Sequence, residues 1–238
     1  MKKWLSKLGL SSKMIFLIFT NVFIVIAVIL AYINKVSHDT IYTNLKENSR
    51  LLTLSTANEV EKILYSVQMI PDNFSQIIES ENYSIEEIEK LLKISVQNNH
   101  EIFGAMIAFE PDYNGSANKY STIYVSKVEG RVTFEHIGKD NYNDHILDWY
   151  LIPKELGKPH WSEPYYDEGR ENVVISTYSV PLYKTINGKK KFIGVLAADL
   201  SLEWLQKIVS KIKVYETGYA FMISRTGSLV THPIKELV

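Results

Sequence analysis

The pattern of apolar and polar positions changes character repeatedly along the chain. From Met14 to Asn34 the stretch MIFLIFTNVFIVIAVILAYIN carries no charge, and Lys13 and Lys35 bracket it. As a helix rising 1.5 Å per residue, this run is long enough to cross a hydrocarbon core of about 30 Å. It exceeds the roughly 7–15 apolar residues of a cleaved signal peptide, and no A-x-A-like site follows it. It therefore reads as a retained transmembrane helix over 14–34. Lys2, Lys3, Lys7 and Lys13 precede it, which places residues 1–13 in the cytoplasm and everything after Lys35 outside.

From residue 36 to residue 70 neither Pro nor Gly interrupts the chain, and Val60, Ile63, Val67 and Ile70 step by three and four residues. That spacing predicts a long stalk helix. Its apolar stripe packs on its own domain, pairs with a second copy to make a homodimer, or does both. Ser84-Ile-Glu-Glu87 predicts a capping box opening a second helix, with Ile85, Ile88, Leu91, Leu92 and Val96 on one face. The period then falls to two. Strands are expected at 102–109, 120–128, 131–137, 173–183 and 191–200, with turns at Glu129-Gly130 and Asn187-Gly188. Residues 138–172 read as a loop-rich insert dense in aromatics and proline. Ser201 is the expected cap of a helix carrying Leu202, Leu205, Ile208, Val209 and Ile212, and a last hairpin is expected around Thr226-Gly227. The fold class is α+β: a five-stranded antiparallel sheet with flanking helices.

Composition narrows the function. The 238 residues carry a net charge of −1, with no basic stripe to suggest nucleic acid. With no cysteine, disulfides, thiolate metal sites and cysteine nucleophiles are excluded. The histidines (His38, His100, His136, His145, His160 and His232) show no metal-binding spacing, so neither metal nor cofactor is expected.

Trp149-Tyr150, Trp161–Gly169, Ser176–Tyr183 and Phe192–Leu205 together resemble the double-Cache, PAS-like sensor domains of bacterial and archaeal receptors. The tail from Gly218 to Pro233 looks like the opening of a second, membrane-proximal lobe. The resemblance covers about residues 36–238. It implies a membrane-distal ligand-binding lobe over 71–213, the start of a proximal lobe over 214–238, and an extracellular or periplasmic location. It also implies a cytoplasmic output of chemoreceptor, histidine kinase or phosphatase type. Residues 1–238 hold no second span and no output module, so the sequence reads as ending within the proximal lobe.

A pocket in such a fold needs polar groups fixed on the sheet and aromatic walls around them. Tyr142, Trp149, Tyr150, Trp161, Tyr165 and Tyr166 are the candidate walls, and Asp167 and Asp199 the candidate acids. In the amino-acid-binding members of the family, a Tyr is followed five residues on by Arg, then Trp-Tyr, and later by two Asp. Tyr142, Trp149, Tyr150, Asp167 and Asp199 match those places, but the arginine place falls on Leu147. Arg131 and Arg170 are the basic residues available to replace it from elsewhere in the chain. The carboxylate clamp is missing, so the expected partner is a small amine or a neutral metabolite. Two rival readings are an anchored enzyme using Asp167 and Asp199 as an acid–base pair, and an adhesion or dimerisation module using 36–70. Without a nucleophile elbow, phosphate loop or metal spacing, the chain is not expected to be an enzyme.

Overall fold

The computed structural model describes residues 9–111, 113, 121–128, 130–137, 144–167 and 173–234. Contacts divide the chain into two compact units, Met1–Ser55 and Thr56–Val238. Helix α1 (Leu10–Ser80) contains both the apolar run and the stalk. Within the first unit the apolar side chains from Met14 to Ile33 stand exposed, Phe23 at 72%. By length and composition this segment is a candidate membrane span.

The sequence reading stops the stalk at residue 70, whereas α1 continues through Pro71 to Ser80. Proline forfeits one backbone hydrogen bond and usually ends or kinks a helix. Here Val67, Pro71, Ser75 and Ile78 are all buried, at helical spacing. Packing on the second unit's core outweighs the lost bond.

Helix α2 (Ile85–Asn98) opens with the expected capping box: Ser84 Oγ accepts from the Glu87 N–H, and Glu87 Oε2 accepts from the Ser84 N–H at 2.8 Å. The long strands are β1 (Ile102–Phe109), β2 (Ser121–Val128), β3 (Arg131–Ile137), β6 (Val174–Ile186) and β7 (Lys189–Ser201). Two-residue strands β4 (His160–Trp161) and β5 (Tyr165–Tyr166) both pair with β6. Among the described residues these form one antiparallel sheet in the order β3-β2-β1-β7-β6-β4. The β6–β7 turn is Asn187-Gly188, both at positive φ, as expected for a two-residue hairpin.

The alternation of side chains makes the two faces of this sheet chemically different. Ala105, Ile107, Phe109, Ile123, Val125, Leu196, Ala198 and Leu200 pack under Val67 and Ile78 of α1 and Ile88, Leu92 and Val96 of α2. This is the helix face. The stalk positions Val60 and Val67 are buried in that core, with Ile63 and Ile70 against it, so the stripe does pack on its own domain. On the same side Tyr178 donates to Asp72 of α1 at 3.1 Å. Burial raises the pKa of Asp72, the Tyr178 hydrogen bond partly offsetting it. Burial, with the Asp72 charge, raises that of Tyr178.

The opposite face carries Met106, Ala108, Tyr124, Val195 and Ala197. It is covered by α3 (Asp148–Leu156), a helix in the segment read from sequence as loop-rich. Pro153 lies inside α3, and its N-cap Leu147 makes no side-chain cap bond. A nine-residue helix is marginal alone; buried Trp149, Tyr150 and Pro153 hold it on the sheet.

Helix α4 (Leu202–Val209) follows Ser201, but the Ser201 side chain makes no cap hydrogen bond, because β7 runs directly into the helix. Beyond it lie two small hairpins, β8 (Lys213–Val214) with β9 (Gly218–Tyr219), and β10 (Met222–Ile223) with β11 (Leu229–Thr231). The first was not expected. Tyr219, Phe221 and Ile223 stand more than half exposed there. Amide hydrogen exchange is therefore expected to be fast over 213–231 and slow over 174–200. Equal protection of the two regions in the full chain in detergent contradicts this.

Candidate ligand-binding site

A cavity of about 290 Å³ opens on the α3 face. Ile146, Leu147, Asp148 and Trp149 line it from the start of α3, and Ser162, Glu163, Pro164 and Tyr165 from the segment joining β4 to β5. Among the described lining residues two are acids, two are aromatic, and none is basic. Leu147, at the arginine place, contributes only hydrocarbon to this lining.

The floor joins the cavity to the sheet through hydroxyl groups. Thr177 on β6 pairs with Asp199 on β7 across the ladder. Thr177 Oγ1 donates to Asp199 Oδ1 at 2.6 Å. A hydroxyl has a single proton, so over the 2.8 Å to Tyr165 Oη the Thr177 oxygen is the acceptor. Tyr165, Thr177 and Asp199 thus form a directed chain from the cavity wall to a fully buried carboxyl group. Ser162 fastens the loop from which Tyr165 projects. Its backbone N–H donates to Thr177 O and its Oγ accepts from the Thr177 N–H, each at 2.9 Å. Asp199 is therefore a sheet residue hydrogen-bonded to the neighbouring strand β6.

The remaining candidates are spread around this centre. Trp149 is nearly fully buried, with its ring edge-on to Tyr150 at 5.8 Å. Tyr150 is buried in the core and does not line the cavity; its hydroxyl donates to Glu110 at 2.6 Å. Asp167 is buried, its N–H donating to Val173 O at 3.0 Å, just beyond Tyr165. Trp161 lies on the helix face, against Tyr178 at 5.3 Å between ring centres, so the sheet separates it from the cavity. Tyr142 and Arg170 lie outside the described residues. Arg131 opens β3, the sheet edge opposite β4.

The sequence reading did not single out Asp148, Glu163, Ser162 or Thr177. Asp148 and Ser162 each adjoin a residue it did choose, and Glu163 lies two positions from both Trp161 and Tyr165. Thr177 had one available signal, the alternation of small polar residues Thr177 and Ser179 with large Tyr178 and Val180 along an otherwise apolar strand.

Residues 88–207, half of the chain, match the family described as methyl-accepting chemotaxis protein-like, first PDC sensor domain. The chain belongs to that family. This PDC sensor domain is 28% identical over 127 residues to the methyl-accepting chemotaxis protein McpG of Pseudomonas putida, covering 52% of this chain and 19% of McpG. The chain thus spans about a fifth of that relative's length. Among solved structures it resembles the extracellular domain of mmHK1S-Z2, a protein assigned as a histidine kinase. There the TM-score is 0.67 at 26% identity, covering 81% of this chain and 74% of that one. It shares the fold of the ligand-binding domain of the Pseudomonas aeruginosa chemoreceptor PctC, solved with GABA, at TM-score 0.58 and 20% identity, over 79% and 75% of the two chains. The α+β sensor fold and the sensing role expected from the resemblance both hold.

Proposed function

We propose that this sensor domain faces the exterior behind a membrane-spanning segment at 14–34 and binds a small amine, passing the signal to a cytoplasmic output. The observation that carries the ligand class is the cavity lining: Asp148 and Glu163 beside Trp149 and Tyr165, with no base among the described lining residues and with Leu147 where an arginine clamp would stand. A desolvated ammonium is favoured by carboxylates and by aromatic faces. A ligand carboxylate would find no cation among these lining residues. PctC was solved with GABA, which carries both groups; here the lining favours the amine end alone.

On this reading Asp167 and Asp199 add negative potential from below, and 71–213 is the distal sensing lobe with 214–238 opening a proximal one. The exposed part of the stalk serves a homodimer. The reading is of a binding module rather than an enzyme.

A thermal-shift and calorimetry panel on the full chain in detergent tests it, comparing benzylamine, ethylamine and putrescine with glycine, glutamate, acetate and succinate. At least one amine is expected to bind and to stabilise the fold while remaining chemically unchanged. Micromolar binding of glutamate or succinate with no response to amines would refute the assignment. The floor is probed separately. Thr177→Val keeps the shape but removes the hydroxyl between Tyr165 and Asp199, and is expected to weaken amine binding about tenfold. An unchanged affinity would remove that hydrogen-bond chain from the site.

A further inference from the structure

We propose that Glu110 is a positioning residue for the ligand cavity, acting through α3 on Trp149; the effect on affinity rests on the amine reading above. Glu110 follows the last residue of β1, and its backbone N–H donates to Ile193 O at 2.9 Å, so its main chain is tied to the sheet. Its side chain reaches across to α3. Glu110 Oε1 accepts from Tyr150 Oη at 2.6 Å and from Lys154 Nζ at 2.6 Å. Tyr150 and Lys154 are four residues apart, hence on one side of α3. The Lys154 ammonium also sits 5.3 Å from the ring centre of Phe192 on β7. The Glu110 and Lys154 side chains are only 24% and 30% exposed, so solvent screens this junction less than a surface pair.

The other end of α3 needs such an anchor. Its N-cap is Leu147, without a side-chain cap bond, and Pro153 removes a backbone donor from its interior. Leu147, Asp148 and Trp149 at that weak end are cavity wall. Tyr150 connects the two ends, with its hydroxyl on Glu110 and its ring supporting Trp149 edge-on. The path from Glu110 to the cavity is therefore one short hydrogen bond and one ring contact. A wall held in advance costs less entropy to order when ligand arrives, so this junction sets affinity without touching the ligand.

The test uses the full chain in detergent with 5-fluorotryptophan in place of its four tryptophans, the Trp149 resonance being assigned through Trp149→Phe. Glu110→Ala and Tyr150→Phe are expected to move the Trp149 fluorine resonance toward that of free fluorotryptophan. Both should weaken benzylamine binding about tenfold, mainly through faster dissociation, with little change in melting temperature. Glu110→Gln keeps an acceptor for Tyr150 and should restore part of both effects. An unmoved Trp149 resonance in Glu110→Ala and Tyr150→Phe overturns the proposal. So does an unchanged benzylamine affinity where the parent protein binds it. If the parent protein binds no amine while the resonance moves as stated, Glu110 positions the wall and the amine reading alone fails.

Discussion

Asp199→Ala is expected to weaken binding of a primary amine by about ten- to a hundredfold, roughly 1.4–2.7 kcal/mol, acting through Thr177 and Tyr165 rather than by touching the ligand. Asp199 is wholly buried on the cavity side of the sheet, and its Oδ1 is held by Thr177, which in turn holds Tyr165 at the cavity wall. The substitution removes an acid from the buried floor and releases the hydroxyl chain that orients the wall. Asp199→Asn separates the two effects: it keeps an acceptor for Thr177 and removes the acid. If the acid itself dominates, calorimetry on the full chain shows Asp199→Asn nearly as weak as Asp199→Ala, with Thr177→Val less affected than either. Amine affinity unchanged in both Asp199 variants would take this residue out of recognition altogether.

Gly194→Ala is expected to destabilise the second unit by about 3 kcal/mol, the upper part of the usual range for overpacking. That corresponds to roughly 6–12 °C in melting temperature for a unit of this size. Gly194 pairs with Phe109 on β1 and with Leu182 on β6, beside the bulge where the β6–β7 register shifts. A Cβ there would collide with Ala108 O and lie 3.0 Å from Phe109 Cα. Both are backbone atoms of the central strand pair and cannot turn aside as a side chain would. Gly188→Ala is the matched control. It sits in the hairpin turn at φ +75° with nothing within 4 Å of the new methyl, so it carries only the conformational cost of a positive φ, about 1 kcal/mol. A melting temperature for Gly194→Ala no lower than for Gly188→Ala would show that the strands part readily and that the contact does not matter.

Much of the architecture was legible in the sequence because it depends on neighbours within a few positions. The uncharged run over 14–34 needs only length and composition. The Ser84–Glu87 box and the Asn187-Gly188 turn are local geometry, and the structure shows both. The period-two segments became strands within a few residues of their expected ends. Of the candidate site residues, Trp149 and Tyr165 line the cavity, with Leu147 beside them.

What the tertiary structure decided is whatever depends on a partner distant in sequence. Pro71 is a helix breaker by local rules, yet α1 passes through it because Val67, Ser75 and Ile78 are buried with it. Helix α3 has too few residues and too poor a cap to be read from its own sequence; the sheet beneath and Glu110, some 40 residues earlier, hold it in place. Trp161 belongs to a strand of two residues, too short to show its own alternation, so its face follows from pairing with Tyr178. The same holds for Asp199, whose partner depends on register: Thr177 stands opposite it only because β6 and β7 are aligned as they are. A sequence records which residues can alternate, cap or turn; which face they take is decided by the free energy of burying one side of a sheet against a particular set of helices.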